Sequence, residues 1–156
     1  MAADMIERLE ARLDESYEEV DGPATLVGWS LGGLIAREYA KHAPHRVARV
    51  ITMGSPFSGN PRANHAWRLY EWVTQHPVDA PPIKVQLGVK PPVPTYALWS
   101  RRDGIVAPAS ARGLPGEADH SVEVDCSHLA FACAPEAMAA VLEILARPVS
   151  AKPASA

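Results

Sequence analysis

The chain has 156 residues, 47% of them apolar, and a formal net charge of −3, which suits one soluble domain that needs no disulfide framework to hold its core. Its 15 basic and 18 acidic residues leave no excess charge for binding nucleic acid or an anionic membrane. Cys126 and Cys133 lack the spacing of a zinc site. The N-terminal residues are charged where a signal peptide would be apolar, and no later apolar run is long enough to span a membrane. We therefore expect a cytoplasmic protein.

The first predicted elements are a helix, a strand and a second helix. Apolar residues recur at every third or fourth position over residues 4–20, with Glu and Arg between them, which is the pattern of an amphipathic helix. Residues 21–23 (DGP) end that helix, and residues 24–27 (ATLV) form a short apolar run typical of a strand buried on both faces. Helical spacing returns at Leu34 and ends before Pro44.

The alternation of strand and helix continues along the chain. Further elements are predicted as strands at residues 47–53, 95–100 and 121–125 and as helices at residues 64–76 and 135–147. In the last helix, the residues expected to face the core are Met138, Val141, Leu142 and Leu145. Since strands joined by such long connections pair in parallel, the predicted fold class is α/β, a mainly parallel sheet of about four strands with helices on both faces. We expect one domain over residues 1–148 and a disordered tail over residues 149–156.

A catalytic motif lies at the join between the strand at residues 24–27 and the helix after it. Gly28, Trp29, Ser30 and the two residues that follow fit the pattern G-x-S-x-G. In this pattern Gly28 and Gly32 let the strand turn sharply into the helix, and the turn exposes the serine hydroxyl. The motif predicts Ser30 as a nucleophile. An ordinary helix N-cap serine is the alternative.

A serine nucleophile needs a base to take its proton and an acid to orient that base. Asp103 follows the third predicted strand and His128 follows the fourth, so both belong to the carboxyl end of the sheet, where α/β sites collect. The chain order Ser, Asp, His is the one associated with this turn. Other candidates for the acid are Asp79, Asp119 and Asp125. The remaining histidines are expected to face solvent, namely His42, His45, His65, His76 and His120.

Three segments resemble the α/β-hydrolase family and, within it, bacterial esterases and lipase-like members. These segments are Gly28–Gly33 (GWSLGG), Gly54–Phe57 (GSPF) and Ser100–Val106 (SRRDGIV). The resemblance extends from about Met5 to Arg147, nearly the whole chain.

The resemblance implies Ser30 as nucleophile, Asp103 as acid and His128 as base. It also implies that the backbone N–H of Leu31 stabilises the oxyanion, and that no metal or cofactor is required. The predicted function is therefore that of a serine hydrolase that cleaves a small-molecule carboxylic ester through an acyl-enzyme. The alternative is a non-catalytic or fragmentary remnant that requires a partner chain or a further N-terminal segment.

Members of this family have further strands before the elbow, and a loop after one of them supplies a second oxyanion donor. Only 29 residues precede Ser30, so we expect that donor to be missing and turnover to be weak, since one donor is typically worth roughly 100- to 1,000-fold in rate. The strand at residues 24–27 would then form an exposed edge of the sheet. Such an edge could pair with a second copy to form a homodimer.

An apolar lid could cover the nucleophile. The segment after residue 54 leaves the carboxyl end of the second predicted strand, and its candidates for contact with an acyl chain are Phe57, Trp67 and Tyr70. Core packing by one face of the same helix is the alternative. Cys126 and Cys133 are expected to be free thiols without a catalytic role.

Overall fold

The computed structural model describes residue 8 and residues 11–16, 22–59 and 87–149. Within these ranges, four strands form one sheet, namely β1 (Ala24–Trp29), β2 (Val47–Met53), β3 (Thr95–Trp99) and β4 (His120–Glu123). The strand order is β1-β2-β3-β4, and each neighbouring pair is parallel. The predicted α/β class with a mainly parallel sheet is confirmed.

In the described ranges, three α-helices and two short 3-10 turns connect or follow these strands. The helices are α1 (Leu31–His42), α2 (Pro108–Arg112) and α3 (Pro135–Ala146), and the turns are Pro44–Arg46 and His128–Ala132. Residues 11–16 are also helical, in agreement with the helix predicted at residues 4–20. The predicted helix at residues 64–76 lies outside the described residues, as does the predicted tail beyond Val149. No helix in the described ranges has the length and apolar character to cross a membrane.

Helices cover both faces of the sheet. Val50 and Ile51 are consecutive in β2, so their side chains point to opposite faces. Val50 packs in a buried cluster with Tyr39 and Ala40 of α1. Ile51 packs in a second buried cluster that includes Val141 of α3. The predicted placement of helices on both faces is therefore confirmed.

The buried stripe of α3 differs from the predicted one. Ala137, Val141 and Ile144 face the core at spacings of four and three, whereas Leu142 is 66% exposed and Leu145 is 42% exposed. The prediction was wrong for these two leucines. Nine of the ten residues from 137 to 146 are uncharged and mostly apolar (AMAAVLEILA), so their pattern does not select a face. The contact with the sheet selects it.

A buried arginine attaches the end of α3 to the sheet. Arg49, in β2, is only 5% exposed and donates hydrogen bonds to the carbonyl oxygens of Ile144 and Arg147 at the C-terminus of the helix. Carbonyls at the C-terminus of a helix carry partial negative charge, and the Ile144 carbonyl also accepts the Arg147 N–H at 3.2 Å. The guanidinium therefore adds charged donors to this helix end and stabilises the packing of α3 against β2.

β1 lies at one edge of the sheet within the described part of the chain. Its Val27 side chain is 44% exposed. The homodimer that pairs two copies along residues 24–27 stays a prediction. If the edges pair, the chain should run as a dimer by light scattering at micromolar concentration.

Val27→Lys should shift that dimer to a monomer with little change in melting temperature, because charged side chains block edge pairing and this position is already exposed. A native chain that is monomeric and stable at the same concentration would rule out the dimer.

Candidate active site

Ser30 occupies a strained turn between β1 and α1. Its backbone has φ 53° and ψ −119°, and it is the one residue other than glycine with positive φ among the described residues. Such a conformation is unfavourable for an L-residue and persists only where neighbouring structure enforces it. The Ser30 N–H donates a hydrogen bond of 2.8 Å to the Met53 carbonyl, which fixes the turn against β2.

Close packing within the turn requires glycine at two positions. A Cβ at residue 28 would lie 2.5 Å from the Cα of Gly33 and nearer still to the Gly32 carbonyl oxygen. A Cβ at residue 33 would overlap the Ser55 hydroxyl. At Gly32, by contrast, such a Cβ would meet no described atom within 4 Å apart from its chain neighbours and the backbone of its own helix. The steric need for glycine therefore falls on Gly28 and Gly33, not on Gly32 as the motif led us to expect, because Gly32 contributes its backbone oxygen to the contact.

The hydroxyl of Ser30 contacts the imidazole of His128. Ser30 Oγ lies 3.0 Å from His128 Nε2, although 98 residues separate them in the chain. Ser30 is 8% exposed and His128 is 2% exposed. His128 is the first residue of the 3-10 turn that follows β4.

The other imidazole nitrogen contacts Asp103, in the loop after β3. His128 Nδ1 lies 2.9 Å from Oδ1 and 2.8 Å from Oδ2 of the carboxylate. Oδ1 also accepts hydrogen bonds from the N–H groups of Ile105 and Val106 at 2.9 and 2.6 Å, which fixes the orientation of the carboxylate. A carboxylate at Nδ1 favours the tautomer that carries its proton there, which leaves Nε2 free to accept a proton from a hydroxyl.

Gly54 brings β2 close to the acid. Its φ is +57°, and a Cβ there would lie 2.9 Å from Asp103 Oδ2 and 2.8 Å from a ring carbon of Phe131. Sequence reasoning noted Gly54 only as part of the GSPF segment. Its position directly after a strand of the sheet is the signal that could have identified it.

Trp29 is the last residue of β1, directly before the serine. Its indole N–H donates a hydrogen bond of 3.0 Å to the carbonyl oxygen of His128. The indole is 37% exposed.

The other candidate acids do not contact His128 where the structure describes them. The Asp125 side chain is 62% exposed and pairs with Arg102 at 3.3 Å. Asp119 accepts a hydrogen bond from the Thr95 N–H at 2.8 Å and lies 3.0 Å from Lys90 Nζ. Asp79, His65 and His76 lie outside the described residues. The remaining alternative histidines are exposed, namely His42, His45 and His120.

Phe57, a predicted lid residue, lies in the core. It is 2% exposed and packs with Leu34 and Ala97, and the Arg37 guanidinium lies 4.0 Å from the centre of its ring. The prediction of a substrate contact was wrong for Phe57, because this buried arginine and the sheet cover its ring. Burial lowers the pKa of Arg37 to about 10. Trp67 and Tyr70 lie outside the described residues.

The two cysteines are free, as predicted. Burial, and then the nearby negative charge of Asp103, raise the pKa of the Cys126 thiol. A raised pKa lowers the fraction of the nucleophilic thiolate at neutral pH, so Cys126 is a poor competitor of Ser30 for the role of nucleophile.

Known proteins match the chain in sequence. The profile of the family described as alpha/beta hydrolase fold matches residues 20–87. The pimeloyl-[acyl-carrier protein] methyl ester esterase of Aromatoleum aromaticum is 45% identical over 47 residues, which are 30% of this chain and 19% of that protein. The protein of the same name from Photobacterium profundum is 42% identical over 71 residues, which are 44% of this chain and 25% of that protein. The chain thus matches a quarter or less of the length of each relative.

Solved structures share the fold. The α/β-hydrolase enzyme MGS-MChE2, from the metagenome of lagoon sediments at Mar Chica, Morocco, has a TM-score of 0.63 at 24% identity, over 92% of this chain and 68% of that chain. The monoacylglycerol lipase of Paleococcus ferrophilus has a TM-score of 0.58 at 17% identity, over 90% of this chain and 74% of that chain. At these identities the likeness concerns the fold. Together with the family profile over residues 20–87, it shows that this chain has the α/β-hydrolase fold.

Proposed function

We propose that this chain is a serine hydrolase that cleaves carboxylic esters through an acyl-enzyme, with Ser30 as nucleophile, His128 as base and Asp103 as acid. The observation that supports it best is the continuous set of contacts from Ser30 Oγ to His128 Nε2 at 3.0 Å and from His128 Nδ1 to Asp103 at 2.8 Å. All three side chains are buried, and hydrogen bonds are electrostatically stronger in the protein interior than in water.

The first half of the reaction transfers the acyl group to the serine. His128 Nε2 takes the proton of Ser30 as Oγ attacks the ester carbonyl carbon, and the carbonyl electron pair moves to oxygen. Asp103 stabilises the imidazolium that forms. When the oxyanion collapses, the bond to the leaving alcohol breaks and the imidazolium protonates that alcohol. The acyl group then remains on Ser30.

The second half releases the acid. A water molecule loses a proton to His128 Nε2 as its oxygen attacks the acyl carbon. The second oxyanion collapses, the bond to Ser30 Oγ breaks, and the imidazolium returns its proton to the serine. The products are the carboxylic acid and the alcohol, and the side chains return to their starting state.

The oxyanion is stabilised by the Leu31 N–H. Leu31 is the first residue of α1, and the first N–H groups of a helix have no acceptor within it. The positive end of the helix dipole also favours negative charge at this position. If Leu31 is the main donor, turnover of a short activated ester should be weak, since one missing donor costs roughly 100- to 1,000-fold in rate.

Small alkyl esters are the proposed substrate class. Two relatives that match part of this chain are named as methyl ester esterases, so methyl esters of carboxylic acids are the first substrates to test beside activated aryl esters. The cytoplasmic location of the chain stays a prediction.

Ser30→Ala should abolish both ester hydrolysis and labelling by a fluorophosphonate probe, because the probe reacts with a serine whose hydroxyl a base activates. Ser16→Ala is a matched control, since Ser16 lies on the exposed helical segment and donates a hydrogen bond to the Arg12 carbonyl. It should label and hydrolyse as the native chain does. Labelling that survives Ser30→Ala would assign the nucleophile to another residue. A folded native chain that neither labels nor hydrolyses would instead support the non-catalytic or fragmentary alternative.

A further inference from the structure

We propose that Trp29 is a positioning residue for the catalytic base, an inference that rests on the function proposed above. Its indole N–H donates a hydrogen bond of 3.0 Å to the carbonyl oxygen of His128. The two rings also approach each other, with centroids 5.7 Å apart at an interplanar angle of 41°. The residue directly before the nucleophile therefore contacts both the backbone and the ring of the base.

His128 needs such support because of where it lies. The four residues before it, 124–127, form no helix or strand, so no regular element fixes its backbone from that side. A general base must stay within hydrogen-bond reach of the proton that it removes. A displacement of about 1 Å can lower the rate by about 100-fold.

Hydrogen bonds hold the backbone of His128 on both sides of its Cα. On the N-terminal side, the His128 N–H donates to the Asp103 carbonyl at 2.9 Å. On the C-terminal side, the His128 carbonyl accepts from Trp29. With both flanking peptide groups held, the direction of the imidazole is restricted, and Phe131 packs edge-on against the ring with centroids 6.3 Å apart.

The bond from Trp29 also links the base to the nucleophile. Trp29 and Ser30 are consecutive, and Trp29 pairs with Met53 in the parallel sheet, the residue whose carbonyl accepts the Ser30 N–H. The donor of the bond therefore sits on the same rigid strand end as the reactive hydroxyl. Sites built on regular elements keep their geometry better than sites built on loops.

The test is Trp29→Phe, which keeps an aromatic ring but removes the N–H. We expect kcat for an activated ester to fall about 10-fold, as the loss of one hydrogen bond predicts, with KM unchanged within about twofold. Rates are expressed per serine that the fluorophosphonate labels, so that unfolded protein does not count. Replacement of Trp29 by 3-benzothienylalanine, which keeps both rings and has sulfur in place of the N–H, should give the same result if the Phe variant folds poorly.

Trp99→Phe is the matched control. Trp99 also donates its indole N–H to one acceptor, the Ser121 hydroxyl at 3.2 Å, and this bond does not involve the three proposed catalytic residues. Its kcat and KM should stay near the native values. A higher KM with native kcat in Trp29→Phe would mean that the exposed part of the indole binds substrate, and would overturn the proposal. Native values of both constants would also overturn it. Activity that survives Ser30→Ala would instead refute the proposed function itself.

Discussion

Asp103→Asn should lower kcat for ester hydrolysis by about four orders of magnitude and leave the fold intact. Oδ1 of Asp103 accepts two backbone N–H groups, from Ile105 and Val106, so the amide oxygen of Asn must take that position. The amide NH2 group then takes the position of Oδ2, 2.8 Å from His128 Nδ1. Facing a donor, Nδ1 must become the acceptor. Its proton then moves to Nε2, which can no longer take the proton of Ser30.

Asp125→Asn provides the matched comparison. Its carboxylate is exposed and pairs with Arg102 at 3.3 Å, and such surface pairs contribute roughly 0 to 1 kcal/mol. We expect kcat within about twofold of native and an unchanged melting temperature. Both variants would be measured for ester hydrolysis and thermal unfolding. The reverse result would show that the acid lies at the end of β4, and two fully active variants would refute the role of the carboxylate altogether.

Gly28→Ala should destabilise the protein by about 3 kcal/mol or more, which corresponds to a melting temperature lower by roughly 6 to 12 °C. The added Cβ would lie 2.5 Å from the Cα of Gly33 and would overlap the Gly32 carbonyl. Both are backbone atoms, so no side-chain rotation can relieve the contact. Either β1 or the start of α1 must move, and the turn that holds Ser30 moves with it.

Gly32→Ala should have the opposite effect on stability. Apart from its chain neighbours and the backbone of its own helix, the added Cβ meets no described atom within 4 Å, and Gly32 is the second residue of α1. Alanine there restricts the unfolded chain and favours the helix, so the free energy of unfolding should rise by up to about 1 kcal/mol. Thermal unfolding of the two variants side by side measures the contrast. Equal destabilisation of both would show that the packing within the turn differs from that described.

Most of the described fold follows from local patterns in the sequence. The bounds of β2 were predicted without error, because its seven residues include four aliphatic ones and lie between Pro44 and Gly54, which interrupt regular structure. β1 was predicted two residues too short, since pairing of Gly28 and Trp29 with β2 continues the strand into the motif. The five residues of α2 were not predicted, because one and a half turns are too short to show helical spacing.

The candidate site was partly predictable for a different reason. Residues at the carboxyl ends of parallel strands converge whatever their separation in sequence, and on this basis Ser30, Asp103 and His128 were expected to be neighbours. The hydrogen bond from Trp29 to His128 joins residues 99 positions apart. The close approach of Gly54 to the Asp103 carboxylate depends on the path of the loop after β3. Neither leaves a periodic signal, so the sequence alone does not show them.

The order of the strands has a consequence for how the site forms. Ser30 follows β1 at one edge of the described sheet, and His128 follows β4 at the other, so the contact between them closes a loop of 98 residues. By the entropy of loop closure alone, such a contact costs roughly 4 kcal/mol. The three strand pairings that connect β1 to β4 must be in place before this cost is offset. The proposed catalytic contact is therefore among the last to form during folding, and a change that weakens the pairing of β2 with β3 is transmitted to Ser30 without touching it.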